Sequence, residues 1–346
     1  MHRPALLVFA ALAAPLVSLC SPATSRAEEG VSGPVTQGNL TVYFVHGPSR
    51  LGPVPLTLAE ALDAKAVRVA ETGAVNALTI ENLGDQEVFV QSGDIVKGGR
   101  QDRVLSVSLL LPPHSGAIPI TAFCVEQGRW SRRGSEDAAS FNSAAAYVPS
   151  RAARLAIQSE PSDRAGTDYQ AAADLAARQR QVWEEVARVQ RSLSYQLAAP
   201  VASPQSASSL QLALENEKLK QAQRDYVAAL QPAGEQADDI VGYALAINGK
   251  LDSAEVYPSH ALFRKMWPKL LIANATEAIA ARDAAAATAP SSADVAAFLA
   301  AAERGTASRQ SLTRSAELET RRGEHAVYLE TRRTDGAWVH RAYVAK

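Results

Sequence analysis

Cysteine is almost missing from this 346-residue chain, which has two, Cys20 and Cys124. Net charge is missing as well, with 35 lysines and arginines against 36 aspartates and glutamates. A chain so balanced does not bind nucleic acid through its overall charge, because that affinity comes mostly from neutralising phosphates. After the first twenty residues no apolar run is long enough to cross a membrane as a helix. The chain also has no GxSxG turn and no HExxH helix. His46, His114, His260, His325 and His340 are scattered without metal-ligand spacing, so neither a metal nor a cofactor is expected.

What is present begins with an export signal. A short basic start, Met1 to Arg3, leads into PALLVFAALAAPLVSLC and then polar SPATSRAEEG. Ser25 and Ala27 supply the small residues that precede a secretory cut, so residues 1–27 read as a signal peptide removed after Ala27. The apolar run is short for a membrane anchor and contains Pro15. Leu19 before Cys20 is larger than a lipoprotein signal normally has there. Loss of Arg3 and Arg26 leaves 33 of the 35 basic residues against 36 acidic ones, a charge of −3. The mature protein is then soluble, periplasmic or extracellular. Its single cysteine has no internal disulfide partner, so stability must come from buried apolar surface.

Residues 28–36 read as a flexible lead-in, and a single α+β domain is expected over 37–346. From 37 to 130 the chain is strand-like. LTVYFVHG, AVRVAE, VNALTIEN, QEVFVQSGD, DRVLSVSLLL and AIPITAFCVE are short runs rich in β-branched and aromatic residues, separated by turn compositions. TLAEALDAK reads as a short helix with Thr57 as its cap, three residues before Glu60. Residues 131–168 show no sustained period and read as an irregular crossing. Over 170–232 the period becomes helical, with one stripe at Leu175, Val182, Val186, Val189 and Leu193 and another at Leu212, Leu219, Ala222, Tyr226 and Leu230. These predict a long antiparallel helical hairpin, either laid on the sheet or presented to a partner. Over 239–346 strands and helices return. Asn248-Gly249 and Asp335-Gly336 mark two β-hairpins, and the second, at the C-terminus, should pair with the main sheet. Ser259 caps a helix that Pro268 should kink or divide.

Two segments concentrate chemistry. SGDIVKGGRQDR, Ser92 to Arg103, departs from a phosphate loop because Lys97 precedes the glycines and a strand follows instead of a helix. It is either a glycine-permitted turn with solvated charges or a nest of amides for an anion. In CVEQGRW, Cys124 and Arg129 are five apart, one short of the spacing in cysteine-dependent phosphatases, and Glu126 would repel a phosphate. Cys124 reads as a small buried hydrophobe. Arg129 could grip a carboxylate or phosphate and Trp130 could stack on a base or sugar; equally, Arg100 or Arg103 could pair with Glu126 inside the protein. Asp94 and Glu126 are the candidates for a hydrolytic carboxylate pair. Arg132-Arg133, Arg321-Arg322 and Arg332-Arg333 read as solvated surface charge.

VKGGRQDRVL, CVEQGRW and VGYALAINGKLDSAEVYPSHALFRKMWPKLL, in that order, resemble the bacterial ARG and rhodanese-phosphatase-superfamily-associated protein domain family. The likeness runs from about Gln37 to the last residue. It implies no reaction; the family name records association with ADP-ribosylglycohydrolase-type and phosphatase-type genes. Asp102 is a small departure, since similar sequences more often carry Asn there.

The expectation is an exported ligand-binding or interaction module. Its candidate site is Lys97, Arg100, Gln101, Arg103, Glu126, Gln127, Arg129 and Trp130, facing an anionic small molecule or a protein partner. The two segments should converge, with Arg100 or Arg103 on Glu126 and Arg129 and Trp130 left for the ligand. The alternatives are a hydrolase of an ADP-ribose-like or phosphorylated glycoside, and an assembly factor acting through the helical hairpin.

Overall fold

The computed structural model describes residues 30–158, 168–283 and 288–346, and the expected signal peptide lies outside them. The fold is α+β. Its largest sheet is antiparallel throughout and holds β1 (Gly30–Gln37), β2 (Leu40–His46), β12 (Ile240–Ile247), β13 (Lys250–Val256), β14 (Thr306–Thr313), β15 (Ala316–Arg322), β16 (Ala326–Arg333) and β17 (Trp338–Ala345). They lie in the order β1-β2-β12-β13-β17-β16-β15-β14. The C-terminal hairpin thus joins the main sheet, through β17 against β13. Asn248 and Gly249 turn β12 into β13 with positive φ at both, 51° and 71°, which the Asn-Gly pair tolerates.

A six-stranded sheet runs β11-β7-β8-β10-β5-β4, built from β4 (Val67–Glu71), β5 (Ala77–Asn82), β7 (Asp94–Gly98), β8 (Arg103–Leu105), β10 (Ile118–Cys124) and β11 (Phe141–Tyr147). A small third sheet joins β3 (Leu56–Thr57), β6 (Val88–Val90) and β9 (Leu109–Leu111). Helix α1 (Leu58–Asp63) starts at Thr57, whose side chain and that of Glu60 form the expected capping box.

Alternation along β2 and β12 buries both faces of the large sheet. Val42, Phe44, Tyr243 and Leu245 point into the main core. Tyr43, Val45, Ala244 and Ala246 point the other way, against α7 (Ser292–Ala302), where Val295 and Leu299 meet them. The main core is closed by α2 (Arg151–Ile157), α3 (Asp168–Gln196), α4 (Leu210–Leu214), α5 (Glu217–Leu230) and α6 (His260–Ala280). The stripe at Val182, Val186, Val189 and Leu193 carries α3 into this core, while Leu219, Tyr226 and Leu230 carry α5 into it. The first helix expected over 170–232 is α3. The second, expected in one piece from Leu212 to Leu230, is divided at Glu215–Asn216 into α4 and α5, which leaves α3 and α5 as the long pair. Both pack against α6, so the helical region lies on the fold instead of standing away from it.

Two expectations need correction, and a third narrows. Residues 30–37 are not a free lead-in but the strand β1, whose register on β2 shifts between Ser32 and Val35. The segment 131–168, read as irregular, contains β11 and α2; its alanines hide the strand, because Ala carries little β signal. Pro268 sits inside α6 without dividing it. Twelve buried residues on that helix, Trp267 and Leu270 among them, hold it together across the hydrogen bond that proline omits.

Candidate functional site

The two chemistry-bearing segments meet. Cys124 pairs with Arg103 across β10 and β8, and the amide of Val125 donates to the carbonyl of Asp102 at 3.0 Å. Gln101 Nε2 donates to the Glu126 carbonyl at 2.6 Å. The glycines permit this approach. Gly98 and Gly99 have φ of +123° and +53°, and a Cβ on Gly99 would fall 2.4 Å from the Phe141 ring and 2.7 Å from Glu71 Oε1.

The loop is a nest for anions, and the protein supplies them. The amide of Gly98 donates to Asp102 Oδ1 at 3.0 Å, that of Arg100 to Glu71 Oε1 at 2.8 Å, and that of Asp102 to Glu126 Oε2 at 3.1 Å. Asp102 and Glu126 are fully buried and held by two arginines. Arg133 grips Asp102 with both terminal nitrogens, at 2.8 and 3.0 Å, and reaches Glu126 Oε1 at 3.2 Å. Arg129 lies 2.6 Å from Glu126 Oε2 and also donates to the carbonyls of Gly98, Gly99 and Ser131. Ser209 Oγ closes the cluster on Asp102 Oδ2 at 2.8 Å. Burial alone would raise the Glu126 carboxyl, but hydrogen bonds from Arg129, Ser206 and the Asp102 amide hold it below the usual carboxylate range. Burial lowers Arg133, yet its bonds to Asp102 and Glu136 hold it above an ordinary arginine.

Several expectations change here. Glu126 is paired by Arg129 and Arg133, not by Arg100 or Arg103. Arg103 is fully buried and turns to the Gln101 carbonyl at 2.8 Å and Glu71 at 3.4 Å. Arg133, read as surface charge, is buried, because two carboxylates beneath it repay its desolvation. Lys97 leaves the cluster for Glu215 at 2.6 Å. Gln127 is exposed, its carbonyl accepting from Ser208. Trp130 is 41% exposed, with the guanidinium carbons of Arg100 and Arg103 each 5.4 Å from its ring centre. Asp94 belongs to another network, pairing with Lys269 and accepting from the Gln91 amide, so it forms no unit with Glu126. Cys124 is fully buried, and burial pushes its thiol up to about 11.

A second polar region, which the sequence did not single out, surrounds a cleft of about 580 Å³. Arg151, Arg188, Lys250 and Lys346 line it together with Asp252, Glu277 and Asp283. Glu277 Oε1 accepts from the Arg151 amide at 2.8 Å, and Arg151 Nε lies 3.2 Å from Asp252 Oδ1. Burial raises the carboxyl of Asp252, and burial together with the Asp252 charge raises that of Glu277 well above its usual range. The sequence signal was faint: one acid on a strand after Asn-Gly, another 25 residues on, near the end of a helix. Among the described residues no group of three His, Cys, Asp or Glu side chains could hold a metal ion, and no helix is long and apolar enough to cross a membrane.

The fold and these two networks define an α+β protein with a sealed ionic cluster and a separate mixed-charge cleft. The chain matches the ARG and rhodanese-phosphatase-superfamily-associated protein domain over residues 29–344 and belongs to that family. No curated protein and no solved structure matches it.

Proposed function

We propose that the protein is an exported module that binds an anionic small molecule in the cleft between α2, α6 and the β12–β13 turn. The observation that carries this reading is the cleft itself, whose volume of about 580 Å³ is that of a small-molecule site. Its charge supports an anion. Four basic side chains line it against three acids, Asp252, Glu277 and Asp283, and burial raises the carboxyls of the first two. Export is supported by the sequence of residues 1–27, and the family match begins at residue 29, just past the expected cut.

The test is a thermal-shift screen with ADP-ribose, pyrophosphate and acidic sugars. Stabilisation lost in Lys250→Ala and Arg188→Ala but kept in Trp130→Ala supports the cleft. Stabilisation lost only in Trp130→Ala moves the site to the Arg100–Trp130 surface. No stabilisation by any probe sinks the reading.

The same cleft favours hydrolysis of an ADP-ribose-like or phosphorylated glycoside as the second reading, with Asp252 and Glu277 in place of Asp94 and Glu126. Two buried carboxyls raised above their usual range, one of them well above it, are what acid–base work on such a bond can use. Release of free sugar from such a substrate, abolished in Glu277→Gln, distinguishes hydrolysis from binding alone.

A further inference from the structure

A second cleft, of about 330 Å³, opens where the β14–β15 hairpin faces the end of α2. It shares no described lining residue with the cleft of Asp252 and Glu277. Arg178, Arg309 and Arg322 line it, and among the described residues no acid does. We infer that Arg178 and Arg322 hold the phosphate group of a small sugar phosphate in this cleft.

Strand alternation builds one wall. Leu318, Thr320 and Arg322 lie on the same face of β15, and Gln310 and Ser308 on β14 stand opposite the first two. The facing wall is Ser106 with Thr121, joined by the Ser106 amide donating to the Thr121 carbonyl at 3.2 Å. Ile157 and Gln158 supply the end of α2, and α3 adds Arg178. Arg322, expected as surface charge, is half-buried here.

The end of α2 gathers both arginines through neutral groups. Arg178 donates from Nε to the Ala156 carbonyl at 3.4 Å and from Nη2 to that of Ile157, while Arg322 donates to the Gln158 carbonyl. A helix C-terminus carries about half a negative charge, less than the two cations drawn to it. The Arg178 guanidinium carbon also sits 5.0 Å from the Phe123 ring centre, which fixes the plane of the group. These contacts leave Nη1 of Arg178 its hydrogens. Burial first, and then the Arg322 charge, pull the Arg178 guanidinium below an ordinary arginine, against the pull of Asp174. An anion between the two removes that repulsion. Arg309 lies 2.9 Å from Glu319 with its side chain 70% exposed, so it stands at the mouth and is not part of the grip.

A phosphate suits this pair better than a carboxylate. A phosphate monoester carries about −1.5 to −2 charges at neutral pH and three acceptor oxygens, enough for two guanidinium groups arriving from different elements. One carboxylate satisfies a single fork. Away from the arginines the lining turns to the hydroxyls of Thr121 and Thr320 and the amide of Gln310, which match sugar hydroxyls, with Val107 and Leu318 for the carbon face of a ring. The volume is near the lower end for small-molecule sites, which limits the ligand to about one sugar ring.

The experiment titrates the full chain with glucose 6-phosphate, inorganic phosphate and glucose by isothermal calorimetry, and maps phenylglyoxal modification of arginines by mass spectrometry. The ester should bind more tightly than inorganic phosphate, glucose should give no heat, and the ester should slow modification at Arg178 and Arg322. Arg178→Gln and Arg322→Gln should each weaken binding about 10-fold or more, the loss of a charge-assisted contact. Circular dichroism shows whether these variants fold, and the protection assay, which uses the wild-type chain, decides the matter if they do not. Equal binding of the ester by the wild-type protein and both folded variants, protection of other arginines alone, inorganic phosphate binding as tightly as the ester, or no binding at about 10 mM ester overturns the inference. Binding lost in Lys250→Ala and kept in both arginine variants also overturns it, by placing the ester in the cleft of Asp252 and Glu277.

Discussion

Arg133 holds Asp102 through two parallel hydrogen bonds, 2.8 and 3.0 Å long, with the carboxylate fully buried and the guanidinium nearly so. A bidentate pair of this kind is geometrically specific, and neither partner tolerates losing the other. Asp102→Ala leaves Arg133 with Glu126 and Glu136 alone and uncaps the Gly98 amide. It should cost about 3–5 kcal/mol, the range for breaking a buried ion pair, read as a shift in the urea midpoint. Asp102→Asn should cost less, because the amide keeps one acceptor for Arg133 or Gly98. A loss under 1 kcal/mol in Asp102→Ala would mean that the cluster is solvated.

Glu126 predicts an acid limb. Its folded value is held below the usual one by Arg129, so its stabilisation is fully present above the ordinary glutamate value of 4.5. It disappears as pH falls through the lower folded value. The stability difference between the wild-type protein and Glu126→Gln should therefore be largest near pH 7 and shrink below pH 4.5. Denaturant titrations at pH 7 and pH 3.5 measure it, and a difference independent of pH would show that Glu126 is not ionised in the folded protein.

Glu277 predicts the opposite sign. Its folded value is raised, so the folded chain holds a proton that the unfolded chain releases, and stability falls as pH rises from the unfolded value toward the folded one. Glu277→Gln mimics the protonated form. It should raise the melting temperature by a few degrees near pH 7 and leave it unchanged near pH 4. Destabilisation at both pH values would show that the ionised carboxylate is what the Arg151 amide requires.

The strand-rich half should not stand alone. Phe89, Ile95, Phe123 and Val125 share one buried cluster with Val182, Val189, Tyr257 and Phe263 from later in the chain. A fragment of residues 28–148 would expose that face to water and should melt without a cooperative transition. Cooperative unfolding of the fragment, by calorimetry, would make it a domain of its own.

Local chemistry explains which parts of the fold were readable. Thr57 with Glu60, Ser259, and Asn248-Gly249 act through neighbours a few residues away, and each does what its sequence implies. The stripes on α3 and α5 were readable because one face repeats over several turns. β1 was not, because its pairing is set by β2 and not by its own polar residues. The meeting of GGRQDR and EQGRW followed from their places at strand ends. The choice of arginine did not: Arg133 lies seven residues beyond Glu126, and only the folded loop returns it to Asp102. The Asp252–Glu277 pair joins a strand to a helix end, a closeness with no sequence period.

Cys124 has a consequence for measurement. Its sulfur is sealed and donates to the Val75 carbonyl at 3.6 Å, and a thiol pushed up to about 11 holds almost no thiolate at neutral pH. Alkylation must then wait until β10 separates from its neighbours. If residues 1–27 have been removed, no second thiol competes. The rate at which iodoacetamide labels Cys124 becomes a clock for opening of the sheet, readable in dilute protein without any engineered probe.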